Sequence, residues 1–424
     1  MNKEFKRYLV FWFSQSLSQM GSSMTSFALI LWAYSQKGTA MTISLMSFFN
    51  YLPYIIVSAF AGTFVDRHRK KTIMLVTDSI AALCSVIILI LSVSNRLYIW
   101  HIYAVNFMIG FMNAFQSPAS AVAIGKIVPK EKLEQISGMN SFSSNLVAVL
   151  SPIISASLFG FLGLHVIIAI DLCTFAFAFF VLLLVLRIPE DRKNVRKEIS
   201  IMRGTVQGVK FLMKHKPVFM TVITLAILNF FSRLTYENIL SPMILARSGD
   251  NNIALGIVNA IMGIGGIIGG VLVASGRIKA NNAKMIYLSA FVSFLLGDIM
   301  MAIGKGTLLW AFAGLAASLP IPFITAGSNM ILYEYVPTEM QGRVFAVRNS
   351  IQYSTIPIGI LLGGFFADYV FEPLMTKNNT VTSILRCIVG GGDGSGMAVM
   401  FLCTGILGSM FSLIMYSQKD IRKL

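Results

Sequence analysis

Charge is scarce in this 424-residue chain: Asp, Glu, Lys and Arg make up 12% of it. A soluble globular domain carries about a quarter. With 56% of the residues hydrophobic, both a soluble enzyme and a disordered chain are excluded. Cysteine and histidine are rarer still, at 4 each. Most of Cys84, Cys173, Cys387 and Cys403 lie inside apolar runs, which excludes a disulfide framework. His68, His101, His165 and His215 lie far apart and match no ligand spacing, so no metal is expected, and no other cofactor. No Gly-rich segment ends in Gly-Lys-Ser/Thr, which excludes a P-loop ATPase. The run from Gly390 to Gly396 lacks that ending and reads as a flexible linker.

Long apolar stretches fill the chain instead, each near the ~20 residues that cross a bilayer. Spans are placed at 8–36, 41–65, 72–94, 98–125, 134–162 and 164–188, then 217–246, 253–276, 283–304, 307–335, 342–371 and 397–417. The basic start followed by a long span without a cleavage site reads as a first membrane helix, not a removed leader. The polar segment 189–216 divides the chain into six spans and six. Basic residues outnumber acidic ones 34 to 18, a net charge of +16. They gather on alternate loops, as in Lys3-Lys6-Arg7, Arg67 to Lys71, Lys126-Lys130-Lys132 and the connector. The opposite loops hold only Lys37, Arg96, Arg247, Lys305, Lys377 and Arg386. The excess therefore orients the chain in a bilayer, with both termini cytoplasmic, and needs no nucleic-acid partner. Val128-Pro129-Lys130-Glu131 recurs as Val336-Pro337-Thr338-Glu339, and the same shift carries Gly62 onto Gly270 and Arg69 onto Arg277. A duplicated six-helix unit gives that pattern.

Between spans two and three stands Gly62-Thr63-Phe64-Val65-Asp66-Arg67-His68-Arg69-Lys70-Lys71. On a twelve-span frame it resembles the signature of the major facilitator superfamily, with Arg69 in that family's second glycine slot. Within the superfamily the chain resembles drug exporters of the macrolide-efflux type. The resemblance runs through Leu52-Pro53-Tyr54, Ala114 to Ala119, Ile167 to Asp171, Gly342-Arg343-Val344-Phe345 and Gly363 to Asp368. It implies an all-α membrane protein, twelve transmembrane helices in two pseudo-symmetric six-helix bundles around one central cavity. The domains are then 1–188, a cytoplasmic connector 189–216, and 217–424. The first span lacks the acid, and the fourth the Arg, that many proton-driven exporters of the superfamily carry. The coupling ion is therefore left open.

Polar residues inside the spans supply the candidate site. Gln15, Gln19, Ser22 and Ser26 share one helical face, as do Asn106, Asn113, Ser117 and Ser120. Such stripes either line water or bond neighbouring helices. In the resembling family spans one, four, seven and ten line the cavity, which adds Asn229, Phe230, Arg233 and Asn329. Met24 joins them as a flexible thioether suited to apolar ligands of varied shape. Arg233 and Glu237 stand four apart. They either neutralise each other or make Glu237 a proton-coupling group tuned by Arg233. Asp66, Arg67, Lys70, Asp78 and Arg343 are assigned to cytoplasmic gating or, failing that, to simple anchoring. Asp171 and Asp298 are assigned to structural roles at the periphery. An intramembrane enzyme is disfavoured, since His165 and Asp171 are six apart on different faces.

The resemblance implies a secondary transporter that exports amphipathic, macrolide-like compounds in exchange for protons. The alternative is export of a natural product such as a siderophore or a lipid-like metabolite. The expected partners are a hydrophobic small molecule, protons and the lipid bilayer, with the protein a monomer in a cell (inner or plasma) membrane.

Overall fold

The structure, a computed structural model, describes residues 3–127, 133–186, 201–275 and 281–422. The recurring Val128 and Arg277 segments of the internal repeat lie outside the described residues. So do the side chains of Asp66, Arg67 and Arg343. The chain forms two compact units, Met1–Lys193 and Asn194–Leu424.

The first unit has six helices: α1 (Lys3–Lys37), α2 (Ala40–Arg67), α3 (Lys70–Val93), α4 (Ile99–Ile127), α5 (Leu133–Leu162) and α6 (Leu164–Leu184). Each is a single unbroken helix, which satisfies its backbone polar groups internally, as lipid requires. Pro53, Pro118 and Pro152 lie inside α2, α4 and α5, where each removes one N–H from the helical ladder. α1 packs on α5 and α6, α2 on α4, and α3 on both α4 and α6. Two apolar clusters pack the unit, one of Tyr8, Phe11, Val65, Met74 and Leu182, the other of Ala28, Met46, Ile102 and Ile167. Lys71 donates to the carbonyls of Leu183 (2.9 Å) and Leu186 (2.7 Å), so part of the basic cluster caps the end of α6.

In the second unit the chain is more broken. It begins with α7 (Ile201–Lys214), α8 (Lys216–Thr235), α9 (Leu240–Ser248), α10 (Asn252–Ala274) and α11 (Asn282–Val292). A π-helical turn, Ser293–Asp298, then leads into α12 (Ile299–Ile303), α13 (Thr307–Ser318) and α14 (Ile321–Tyr335). α15 (Thr338–Phe366) runs through a second π turn, Ala367–Phe371, into α16 (Glu372–Thr376). α17 (Thr380–Val389), α18 (Ser395–Ser417) and α19 (Lys419–Arg422) complete the unit. Asn251, Asn281 and Asn379 cap α10, α11 and α17 by accepting from backbone N–H groups.

Among the described residues, eleven segments are long and apolar enough to cross a membrane. They include α8 with α9, α11 with α12, α13 with α14, and α15 with α16. α1 is the twelfth helix of the frame, 35 residues long and made more polar by its serines and glutamines. The second half of the expected connector is helical: α7 buries Leu212 against Val218, Val336 and Val344 and belongs to the second unit. The Gly390–Gly396 run is also more than a linker. Gly390, Gly392 and Gly394 hold positive φ, and Met397 N–H donates to Glu372 (2.9 Å), which joins the start of α18 to α16.

Candidate functional site

Each unit contains its own polar cavity. The first, about 770 Å3, is walled by α1, α3, α4, α5 and α6. Gln15, Gln19, Asn106 and Asn113 all line it, with Ser22, Ser26, Ser117 and Ser120. The spacing that put them on one face of each helix thus brings two faces together. Trp12 Nε1 and Gln15 Nε2 line the same space as buried donors without a hydrogen-bond acceptor.

Two carboxylates stand in this wall. Asp78 accepts from Gln116 Nε2 (2.9 Å), and Gln116 accepts in turn from Thr77. Asp171, 4% exposed, accepts from Ser22 (2.9 Å) and Ser85 (3.5 Å), which ties α6 to α1 and α3. Gly21 makes this possible: a Cβ there would meet Thr174 Oγ1 and would lie 3.0 Å from Asp171 Cα. Among the described residues, the lining holds no Lys, Arg or His.

The second cavity, about 390 Å3, is walled by α8, α10, α11 with its π turn, α13, α14 and α15. Asn229, Arg233 and Glu237 line it, with Arg348, Thr325 and Gln352. Arg233 Nη1 and Glu237 Oε2 form a close ion pair, and their side chains are 27% and 25% exposed. Glu237 lies past the end of α8, in the four-residue turn before α9. Asn238 in that turn is fully buried and donates to Ile360 O (2.7 Å), anchoring the break to α15. Asp298, 1% exposed, closes the π turn and accepts from Thr404 of α18 (2.7 Å).

Several expected roles move. Met24 does not line the first cavity. It is buried among Ala28, Met46 and Ile168, because two residues from Ser22 is about 200° around the helix. Phe230 is likewise turned from the second cavity, its ring against Phe231 (6.1 Å) and its carbonyl close to Gly359. Asn329 lies one layer behind the lining, where its oxygen accepts from Arg348 Nη1 (2.6 Å). Lys70, proposed for gating or anchoring, is buried with Nζ on the His68 carbonyl (3.1 Å). Asp78 stands in the first cavity, not in a gate between loops. Asp171 and Asp298 are cavity residues, not peripheral ones.

Arg348 was not among the expected site residues, but α15 continues through it and brings its side chain into the second cavity. Its unbroken five-residue distance from Arg343 was the signal available. Gln116, Tyr236 and Thr404 entered no expectation. Polar side chains isolated in apolar runs carry no sign of which acid they face.

Two polar cavities inside helical units define a membrane transporter. The Major Facilitator Superfamily model matches residues 11–360, and the chain belongs to that family. Macrolide efflux protein A of Streptococcus pyogenes is 26% identical over 370 residues, covering 86% of this chain and 90% of that protein. The staphyloferrin A transporter of Staphylococcus aureus is 22% identical over 366 residues, covering 84% and 89%. Among solved structures, the nucleoside transporter NupG superposes with a TM-score of 0.71 at 15% identity, covering 99% of this chain and all of NupG.

Proposed function

We propose that this protein exports amphipathic, oxygen-rich compounds of the macrolide type across the cell membrane, by alternating access and in exchange for protons. The observation that carries this reading is the first cavity. Its wall is mostly uncharged amide and hydroxyl groups set among apolar side chains such as Leu29, Ile109 and Phe175. Trp12 and Gln15 offer buried donors there without acceptors. A large ring bearing carbonyl and hydroxyl oxygens supplies acceptors and apolar surface together. The similarity to a macrolide efflux protein points the same way. Asp66, Arg67 and Arg343 remain proposed gating residues on the cytoplasmic side, where both termini are placed. A monomer suffices, since each cavity is built within one unit.

A second reading has its own observation. Arg348 and Arg233 both face the smaller cavity, and guanidinium groups suit a polycarboxylate chelator. The similarity to a staphyloferrin A transporter supports this alternative.

Everted vesicles with an acid interior separate the two. Adding macrolides should dissipate the gradient only when the protein is present, with protein-free vesicles as the blank. A response confined to siderophore-like chelators would replace the first reading by the second.

A further inference from the structure

We infer that the proton site of this transporter is Asp298 in the second unit, with Tyr236 as its positioning partner, and not Glu237. The inference rests on the proposed antiport and names where its proton binds.

Three observations converge. First, Glu237 already holds a guanidinium in a close pair and is partly exposed. Its charge is already compensated within the cavity. Second, Asp298 lines the same cavity yet is 1% exposed, and only one of its oxygens is satisfied. Oδ2 accepts from Thr404, whereas Oδ1 is buried and has no closed hydrogen bond. The Tyr236 hydroxyl, buried as well, faces Asp298 from the turn between α8 and α9, within reach of its carboxyl but outside the geometry of a closed hydrogen bond. A buried carboxyl oxygen and a buried hydroxyl that face each other, with no other partner for either, form a site for one proton. Third, both groups stand where regular helix fails. Asp298 ends a π turn and Tyr236 sits in a helix break. Such irregularities inside membrane helices mark places built for a ligand or an ion.

The exchange is simple to balance. Ionised Asp298 accepts the Tyr236 O–H at Oδ1. A proton arriving from the cavity adds to Oδ1, and the new O–H donates to the Tyr236 oxygen while Thr404 keeps its bond to Oδ2. Releasing the proton restores the first arrangement. Tyr236 precedes Glu237 in the chain, so its reorientation reaches the Arg233–Glu237 pair. The charged and titratable groups sharing the cavity are that pair, Tyr236 and Arg348. Arg348 is held by Asn329 and Asn349. α18 brings Thr404 and Gly405 against Asp298, and α13 brings Ala317 and Ser318 to the cavity wall.

The test uses the full-length protein in liposomes, with a macrolide as the probe. Asp298→Asn should abolish gradient-driven macrolide transport while leaving macrolide exchange at equilibrium, and Asp298→Glu should restore part of the driven transport. Glu237→Gln should keep gradient-driven macrolide transport. Driven transport surviving in Asp298→Asn, or lost only in Glu237→Gln, would overturn the assignment.

A second readout needs no substrate. Infrared difference spectra between acid and alkaline buffer should show a protonated-carboxyl band in wild-type protein that Asp298→Asn removes and Tyr236→Phe shifts. An unchanged band in both variants rejects the site even where antiport is confirmed. The band present and the macrolide gradient unaffected would fault the macrolide reading alone. Sodium supporting wild-type transport without a pH gradient would also overturn the proposal.

Discussion

The two units solve one problem in opposite ways. The first keeps its helices whole and places polarity on side chains, giving a roomy cavity whose carboxylates are held by hydroxyls and an amide. The second breaks its helices and packs charge into about half the space, with two arginines, a paired glutamate and an aspartate whose bonding is incomplete. Both nonetheless tie an aspartate across a helix crossing. In the first the acid is on α6 and hydroxyls come from α1 and α3; in the second the acid closes the π turn after α11 and the hydroxyl comes from α18. The duplicated frame thus retains the crossing and changes what the acid can do. Asp171 accepts a hydrogen bond at each oxygen, as a strut would, whereas Asp298 accepts at one, and the other is where the proposed proton would bind.

The strongest way to break this comparison is at the glycines that let each acid approach. Gly21→Ala drives a methyl group onto Thr174 Oγ1 and the α6 backbone, and whole helices must part to accommodate it. A loss on the order of 1–3 kcal/mol is expected, read as a lower unfolding temperature in detergent. Gly405→Ala meets Ile299 Cγ1 at 2.9 Å, Asp298 Cβ at 3.1 Å and Ile299 N at 3.2 Å. These approaches are looser than those at Gly21, so the loss should be smaller, roughly 1 kcal/mol. The reverse order would mean that the second crossing is the more rigid.

Charge gives the next effect. Arg233→Gln and Glu237→Gln each strand a half-buried partner, and the double variant removes the conflict. A double-mutant cycle should return a coupling on the order of 1 kcal/mol, moderated by exposure. The same cycle on Asp78 and Gln116 should return less, since only one partner is charged. Equal couplings would erase the electrostatic distinction between the cavities.

Much of this was legible in the sequence, and the missing part has a physical pattern. The twelve-helix frame could be read because lipid forces long apolar runs, and the stripes of Gln15–Gln19 and Asn106–Asn113 because helical period puts repeated polar residues on one face. Met24 failed for want of that test: it shares a helix with the stripe but not its face. Asp171 and Asp298 were hidden because a single acid in an apolar run defines no face, and its donors lie 149 and 106 residues away in sequence. Arg348 was hidden because a basic residue near a span end looks the same whether the helix continues or stops. The breaks at Tyr236 and Asp298 have Pro242 and Gly297 beside them, but single Gly and Pro residues also stand inside unbroken helices of this chain, such as Pro53 in α2 and Gly110 in α4.

Replacing Asp171 tests whether the first crossing really is a strut. Asp171→Asn keeps an oxygen for Ser22 but turns an NH2 toward the Ser85 hydroxyl, which can rotate to accept. A loss of about 1 kcal/mol in stability is expected, with driven macrolide transport retained. A collapse of coupling comparable to Asp298→Asn would make the two acids equivalent and dissolve the contrast between the units.

The smallest expected effect sharpens the same point. Ser22 donates to Asp171 at 2.9 Å and Ser85 at 3.5 Å, the second at the limit of a hydrogen bond. Ser22→Ala should therefore cost about 1 kcal/mol, and Ser85→Ala only a few tenths. If the α1–α6 crossing carries the strut, the two losses should add, because each hydroxyl serves a different carboxyl oxygen. Ser85→Ala costing as much as Ser22→Ala would instead mean that the α3 contact tightens in the membrane. Asp171 would then bind three helices equally, as a central post and not a bridge between two.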